Sequence, residues 1–307
     1  MLKATALDST RLGEQITDMV DQESPDAAII IPVNARCDLC RVVDLLEDIA
    51  RYDGPDRFQI LLVVNNYDPD HPPTEHLELY SRLGVQTVAV TELPGDSRIS
   101  PALRARMLAL PYTNTRACIF FDADCRIPDP GRCLGWYCQS FRDPDVMLAY
   151  TKVGYYNWPD RLPVQLWLAV HYGWRAFKRN CLRVPTPRGS SYAIDRNLKQ
   201  RLFEDGYLAD ETALGRLVKG FGYRCSYTRA KSCRVLTDGR VFQRARVHRL
   251  FTKYAFRRLK INVNNLIIRQ DAARYTGRKG QESHKVDGQV TEGLAATSQE
   301  QSPAKTR

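Results

Sequence analysis

Short, continuous apolar runs rich in β-branched residues alternate with helical periods through the first half of the 307-residue chain, and this alternation limits the fold more than any other feature. Segments 27–33, 58–64, 85–90, 117–121 and 146–151 are bounded by Pro, Gly or Asp, the pattern of strands buried on both faces. Between the first two, Leu39, Val42, Val43, Leu45, Leu46 and Ile49 recur at helical spacing. Helical patterns also cover 74–83, 102–110 and 131–141. Strand and helix in strict alternation predict an α/β fold, a mostly parallel sheet flanked by helices. Ligands of such sheets bind beyond the carboxyl ends of the strands, where Asn34, Asn65 and Asp122 fall and are expected to converge.

The second half is less regular. An aromatic-rich helix is predicted over 162–177, with Trp167, His171, Tyr172 and Trp174, followed by a proline-containing loop at 185–188. A helix over 210–219 opens with two acids and stops at Gly220, as helix electrostatics and glycine end-capping favour. The expected organisation is an N-terminal helical or flexible extension (1–26), one domain (27–235, with halves 27–125 and 126–235), a basic helical segment (236–279) and a disordered tail (280–307).

With 43% hydrophobic residues the chain can bury a large core. It has no apolar run of membrane-spanning length and no hydrophobic signal core at its start, and its nine cysteines are an odd number. These features argue against a disulfide scaffold or a spanning protein and for a cytoplasmic one with reduced thiols. The formal charge of +10 is concentrated between Arg244 and Lys279, where a lone Asp271 stands among many Arg and Lys. That stretch attracts anions, whether nucleotide diphosphates, nucleic acid or an acidic lipid surface, and charge alone does not choose among them.

Chemistry is carried first by Phe120-Phe121-Asp122-Ala123-Asp124, in which an apolar run delivers two carboxylates one residue apart to a strand end. A hard divalent cation takes oxygen ligands of this kind together with substrate phosphates. In chain order the strand ends then read Pro32-Val33-Asn34, Asn65-Asn66, Asp122-Ala123-Asp124, Asp210-Glu211-Thr212-Ala213-Leu214 and Gln243-Arg244-Ala245-Arg246. This ordered set resembles the GT-A glycosyltransferases, specifically glycosyltransferase family 2, over roughly residues 27–250. The resemblance implies a GT-A, Rossmann-like single catalytic domain and an inverting transfer of sugar from a nucleotide-diphosphate donor, with Mn or Mg as cofactor. It places Pro32, Asn34, Asn66, Arg106, Asp122 and Arg246 at the donor, Asp124 and Asp122 at the metal, and Glu211 or its neighbour Asp210 as the general base. Gly189, Ser190 and Ser191 correspond to a loop between donor and acceptor. The chain departs from the family in having Asn65-Asn66 for an acidic pair, exchanged acids at 210–211, and Val247 for a stacking tryptophan.

The acceptor, whether saccharide, lipid-linked or small molecule, is left open, as is peripheral docking of the basic segment on an anionic inner membrane face. Arg249 is a second candidate diphosphate clamp and His248 a candidate third metal ligand. The Cys37-Asp38-Leu39-Cys40 pair lacks a second ligand pair at zinc-site spacing. A sugar-phosphate nucleotidyltransferase shares the sheet layout, but its glycine-rich loop is missing between Asn34 and Cys40. A basic module for nucleic acid or membrane ranks behind both enzymes, with nucleic acid the weakest partner.

Overall fold

The computed structural model describes residues 12–239 apart from 13, 17, 18, 22, 97, 98, 158–161, 209 and 210, and the side chain of 212. The predicted alternation is present. Strands β1 (Ala27–Asn34), β2 (Phe58–Asn65), β3 (Gln86–Val90) and β4 (Ala117–Phe121) are separated by helices α1 (Leu39–Ala50), α2 (Thr74–Arg82) and α3 (Pro101–Ala109). Then follow α4 (Pro130–Phe141), β5 (Val146–Tyr150), β6 (Val153–Tyr156), α5 (Leu162–Asn180), β7 (Ser191–Asp195), α6 (Arg196–Glu204), α7 (Leu214–Gly220), β8 (Arg224–Tyr227) and β9 (Val235–Asp238). Helix α3 starts as its sequence dictates: Ser100 caps the amide of Leu103 and Pro101 occupies the first turn. The helix expected over 210–219 begins instead as a 3-10 turn, Glu211–Ala213, before α7.

Seven strands form one sheet in the order β3-β2-β1-β4-β7-β5-β8, while β6 and β9 pair as a separate parallel ribbon. The first four strands are parallel; β1, β2 and β4 are almost wholly buried, as continuous apolar runs require, while the edge strand β3 is only partly covered. The chain steps outward from β1 to β3 and then returns to place β4 on the other side of β1. That reversal opens a crevice at the carboxyl ends of β1 and β4, the position at which open α/β sheets bind ligands.

Sequence periodicity did not mark β7, which is antiparallel to both β4 and β5. Opposed direction brings its first residue, Ser191, level with Phe121 at the end of β4. The loop before β7 therefore reaches the ligand-binding edge. Part of the expected N-terminal extension also joins the core: Leu12, Ile16 and Met19 are buried there, and Val20 bridges to Phe58. No helix among the described residues is long and apolar enough to cross a membrane.

Ile31 is fully buried in β1 between helical layers. Ile31→Ala is expected to cost about 2–5 kcal/mol through lost burial and the cavity left behind. A urea unfolding midpoint unchanged from wild type would contradict this packing.

Candidate active site

The site is organised around Arg106, which is 1% exposed although it lies on a helix. Small and apolar neighbours, Leu103, Ala105 and Ala109, let α3 settle against the sheet and carry the guanidinium inward. There Nη2 donates to Asp122 Oδ1 at 2.6 Å and to the Gly189 carbonyl at 2.8 Å, and Nη1 donates to Glu211 Oε2. One cation thus ties the acidic turn after β4 to the acid that precedes α7.

The other oxygen of Glu211 is engaged as well. Oε1 accepts from the Tyr192 hydroxyl and from Lys199 Nζ at 3.0 Å, and Lys199 also donates to Tyr192. Lys199 is fully buried on α6. Its ammonium lies 4.1 Å from the Phe120 ring centroid, and Phe120 stacks on Tyr192 with centroids 5.0 Å apart. The aromatic pair gives the two cations an electron-rich floor. Burial pushes the Lys199 ammonium down to about 8 despite the opposing pull of Glu211. Burial would raise Glu211, but Arg106, Lys199 and the hydrogen bonds to Tyr192 and Lys199 outweigh it and hold the carboxyl below its usual range.

Asp124 sits apart from these cations. Its Oδ1 accepts from Thr237 at 3.0 Å, and the Tyr156 hydroxyl donates to its carbonyl at 2.8 Å. Burial, followed by the charge of Asp122, raises it to about 6. The turn is fixed from behind by Asp48 of α1, which accepts from Arg126 at 2.7 and 2.8 Å and from the Ile127 amide at 2.8 Å. Asp122 remains 40% exposed, so the pair faces the crevice with one carboxylate neutralised by Arg106 and the other in no ion pair among the described residues. Two such oxygens suit a divalent cation that completes its shell with phosphates and water. Among the described residues no third His, Cys, Asp or Glu joins them in a ligand cluster.

A cleft of about 290 Å³ is lined by Pro32, Asn34, Asp38, Asn65, Asp122 and Asp124, so the predicted convergence of strand ends holds. Asn65 is nonetheless a framework residue, its amide bonded to the carbonyls of Val33 and Val63. Asn66, in the left-handed region at φ 62°, donates to Asn34 Oδ1 at 3.1 Å and braces the rim. The 189–191 loop contributes differently from expectation. Gly189 offers its carbonyl to Arg106, whereas the Ser191 hydroxyl is buried and shared with Tyr137 at 2.8 Å and Thr151 at 2.9 Å, leaving none for a ligand. Arg246, Arg249, His248 and Asp210 lie outside the described residues. Cys37 and Cys40 are exposed free thiols.

Tyr192, Lys199 and Thr237 were not singled out from the sequence. The only available signal for Lys199 was its place beside Leu198 and Leu202 on the inner stripe of α6.

No family model matches the chain. Among curated proteins, a 102-residue stretch is 32% identical to the phenylalanine–tRNA ligase beta subunit of Synechocystis sp., spanning 33% of this chain and 13% of that protein. Among solved structures, a mannosyltransferase of Pyrobaculum calidifontis in complex with GDP-Man and Mn2+ is 18% identical with a TM-score of 0.47, over 74% of this chain and 62% of that one. Mannosyl-3-phosphoglycerate synthase of Rubrobacter xylanophilus is 14% identical with a TM-score of 0.45, over 82% and 79%. A CMP:2-keto-3-deoxy-manno-octonic acid synthetase complexed with CTP is 12% identical with a TM-score of 0.41, over 66% and 89%. At these levels the chemistry must be read from the chain's own residues.

Arg106→Lys keeps the charge but cannot span Asp122, Gly189 and Glu211 at once. It is expected to destabilise the fold by about 1–3 kcal/mol, because the shorter, unforked side chain leaves at least one of these inward acceptors unsatisfied. Thermal unfolding checks this, and a melting temperature equal to wild type would refute the bridging role.

Proposed function

We propose that this chain transfers a glycosyl group from a nucleoside diphosphate sugar to an acceptor hydroxyl, with a divalent cation and with inversion at the anomeric carbon. The observation that carries this reading is the Arg106 bridge, which joins Asp122 of the acidic turn to Glu211 at the crevice between β1 and β4. The bridge holds Glu211, the sequence neighbour of Asp210, against the turn that carries Asp122.

Pro32, Asn34 and Asp38 line the part of the cleft that would take the nucleoside, and Asp124 with Asp122 would face its diphosphate. A cation held there supplies charge neutralisation to the departing diphosphate. Burial raises the Asp122 carboxyl, while Arg106 opposes that rise and aims the side chain; Gly189 admits the close approach, since a Cβ at that position would stand 3.0 Å from Glu211 Oε2. Both Glu211 oxygens are occupied and its carboxyl is held low, which makes it an anchor and a poor proton acceptor at neutral pH. The base role therefore goes to its neighbour Asp210. The acceptor hydroxyl gives its proton to that carboxylate, its oxygen bonds to the anomeric carbon, and the bond to the diphosphate oxygen breaks with its electron pair on the leaving group.

Nucleoside diphosphate binding, followed by thermal shift across uridine, guanosine, thymidine and adenosine diphosphates, is expected to require Mn or Mg and to be lost in Asp124→Ala. Binding indifferent to metal and to that substitution would defeat the proposal. Release of pyrophosphate from a sugar phosphate and a nucleoside triphosphate would instead favour the nucleotidyltransferase reading.

Because protonated Asp124 cannot ligate a cation, Mn affinity is expected to be full at pH 7.5 and to fall about tenfold per unit once pH drops below about 6. Calorimetric titration at pH 7.5 and 5 tests this, and equal affinities would remove Asp124 from the metal site.

A further inference from the structure

A second cavity, of about 480 Å³, lies among α5, the ends of β5 and β8, the start of β6 and the loop before β7. Its wall carries Lys152, Arg175, Arg179, Arg188 and Arg234 and no Asp or Glu. None of the five is in an ion pair among the described residues.

These side chains are held by neutral groups. Arg188 donates to the hydroxyls of Tyr155 and Tyr172, Arg175 to the carbonyls of Thr186 and Pro187, and Arg179 lies 4.3 Å from the centroid of Tyr227. Burial, followed by the charge of Arg188, presses Arg175 down to about 10. Moreover Arg179 Nε, Arg234 Nε and Thr186 Oγ1 are buried with no hydrogen-bond partner. Buried donors are rarely left unpaired, and four half-buried arginines crowded together without a counter-charge repel one another. Planar guanidinium groups around one cavity match phosphate oxygens.

The cavity also adjoins the cleft. Phe120 of β4 and Tyr150 of β5 both pair with Tyr192 of β7, so Asp122 and Lys152 each stand two residues beyond the same level, at the same edge. Their strands are two spacings apart, about 10 Å. Arg188, in the cavity wall, precedes Gly189, which accepts from Arg106, and its charge acts on Asp122.

We infer that this cavity is the acceptor subsite and that it selects an acceptor carrying a phosphate group, an inference that rests on the transferase reading for the word acceptor. The phosphate is borne either by a water-soluble ester or by a lipid. On the same helix α5, Leu166, Val170, Trp174 and Phe177 are exposed at helical spacing, which makes the lipid a source to be tested.

The full chain is titrated with glycerol 3-phosphate and with glycerol, in the absence of metal and donor, and pelleted with vesicles containing phosphatidic acid or phosphatidylcholine alone. Arg175→Gln and Arg179→Gln, each checked by melting temperature, are expected to weaken binding of the phosphate probe at least tenfold. Asp124→Ala is expected to leave it unchanged. Loss with the soluble ester assigns the phosphate to a metabolite, and loss with phosphatidic acid vesicles alone assigns it to a lipid. If neither probe responds to either arginine substitution in folded protein, or if Asp124→Ala abolishes phosphate binding, the subsite is overturned. Failure of the transferase reading reads out separately, as absence of sugar transfer with phosphate binding intact.

Discussion

The guanidinium of Arg106 is the one group on which the rest of the site depends. A cation removed from water is tolerable only where carboxylates and carbonyls surround it, and here they come from three distant parts of the chain: Asp122, Gly189 and Glu211. Lys199, equally buried, shares Glu211 and the aromatic floor of Phe120 and Tyr192. The inner charges balance, two cations against two carboxylates. None of the four is well placed without the others, so the electrostatics fix geometry as much as they stabilise it.

A single antiparallel strand explains how two halves of the chain meet. Had β7 run parallel to β4, the loop at 186–190 would lie at the opposite edge of the sheet. Running against its neighbours, it delivers Arg188 and Gly189 to the edge where Asp122 emerges, and it places β5 with Lys152 one strand beyond. The acidic cleft and the basic cavity become neighbours through this topology. Fixed charges of opposite sign then stand on either side of the loop at 186–190.

Legibility in the sequence followed burial on both faces. Strands β1, β2 and β4 were plain because their residues are continuously apolar, and the acidic pair stood out because two carboxylates directly after such a run are unusual. Strands β6 to β9, with four or five residues each, show neither a long apolar run nor clean alternation. The two asparagines after β2 read as a single polar pair, yet backbone geometry splits them: Asn65 closes the sheet edge and Asn66, with positive φ, turns to brace Asn34.

The sequence by itself determined the α/β layering, the crevice edge and the identity of the acidic turn, since these follow from hydrophobic period and from residues adjacent in the chain. Only the tertiary structure decided that Arg106 is an internal bridge, that Glu211 is fully engaged, that Lys199 is buried, and that five cations converge without a carboxylate. Those facts depend on which residues meet across a dozen to more than 100 positions, as Lys199 and Glu211 do at a separation of 12 and Arg106 and Glu211 at 105. Local spacing carries no record of such contacts. They are set by strand order and direction, which arise from the packing of the whole sheet.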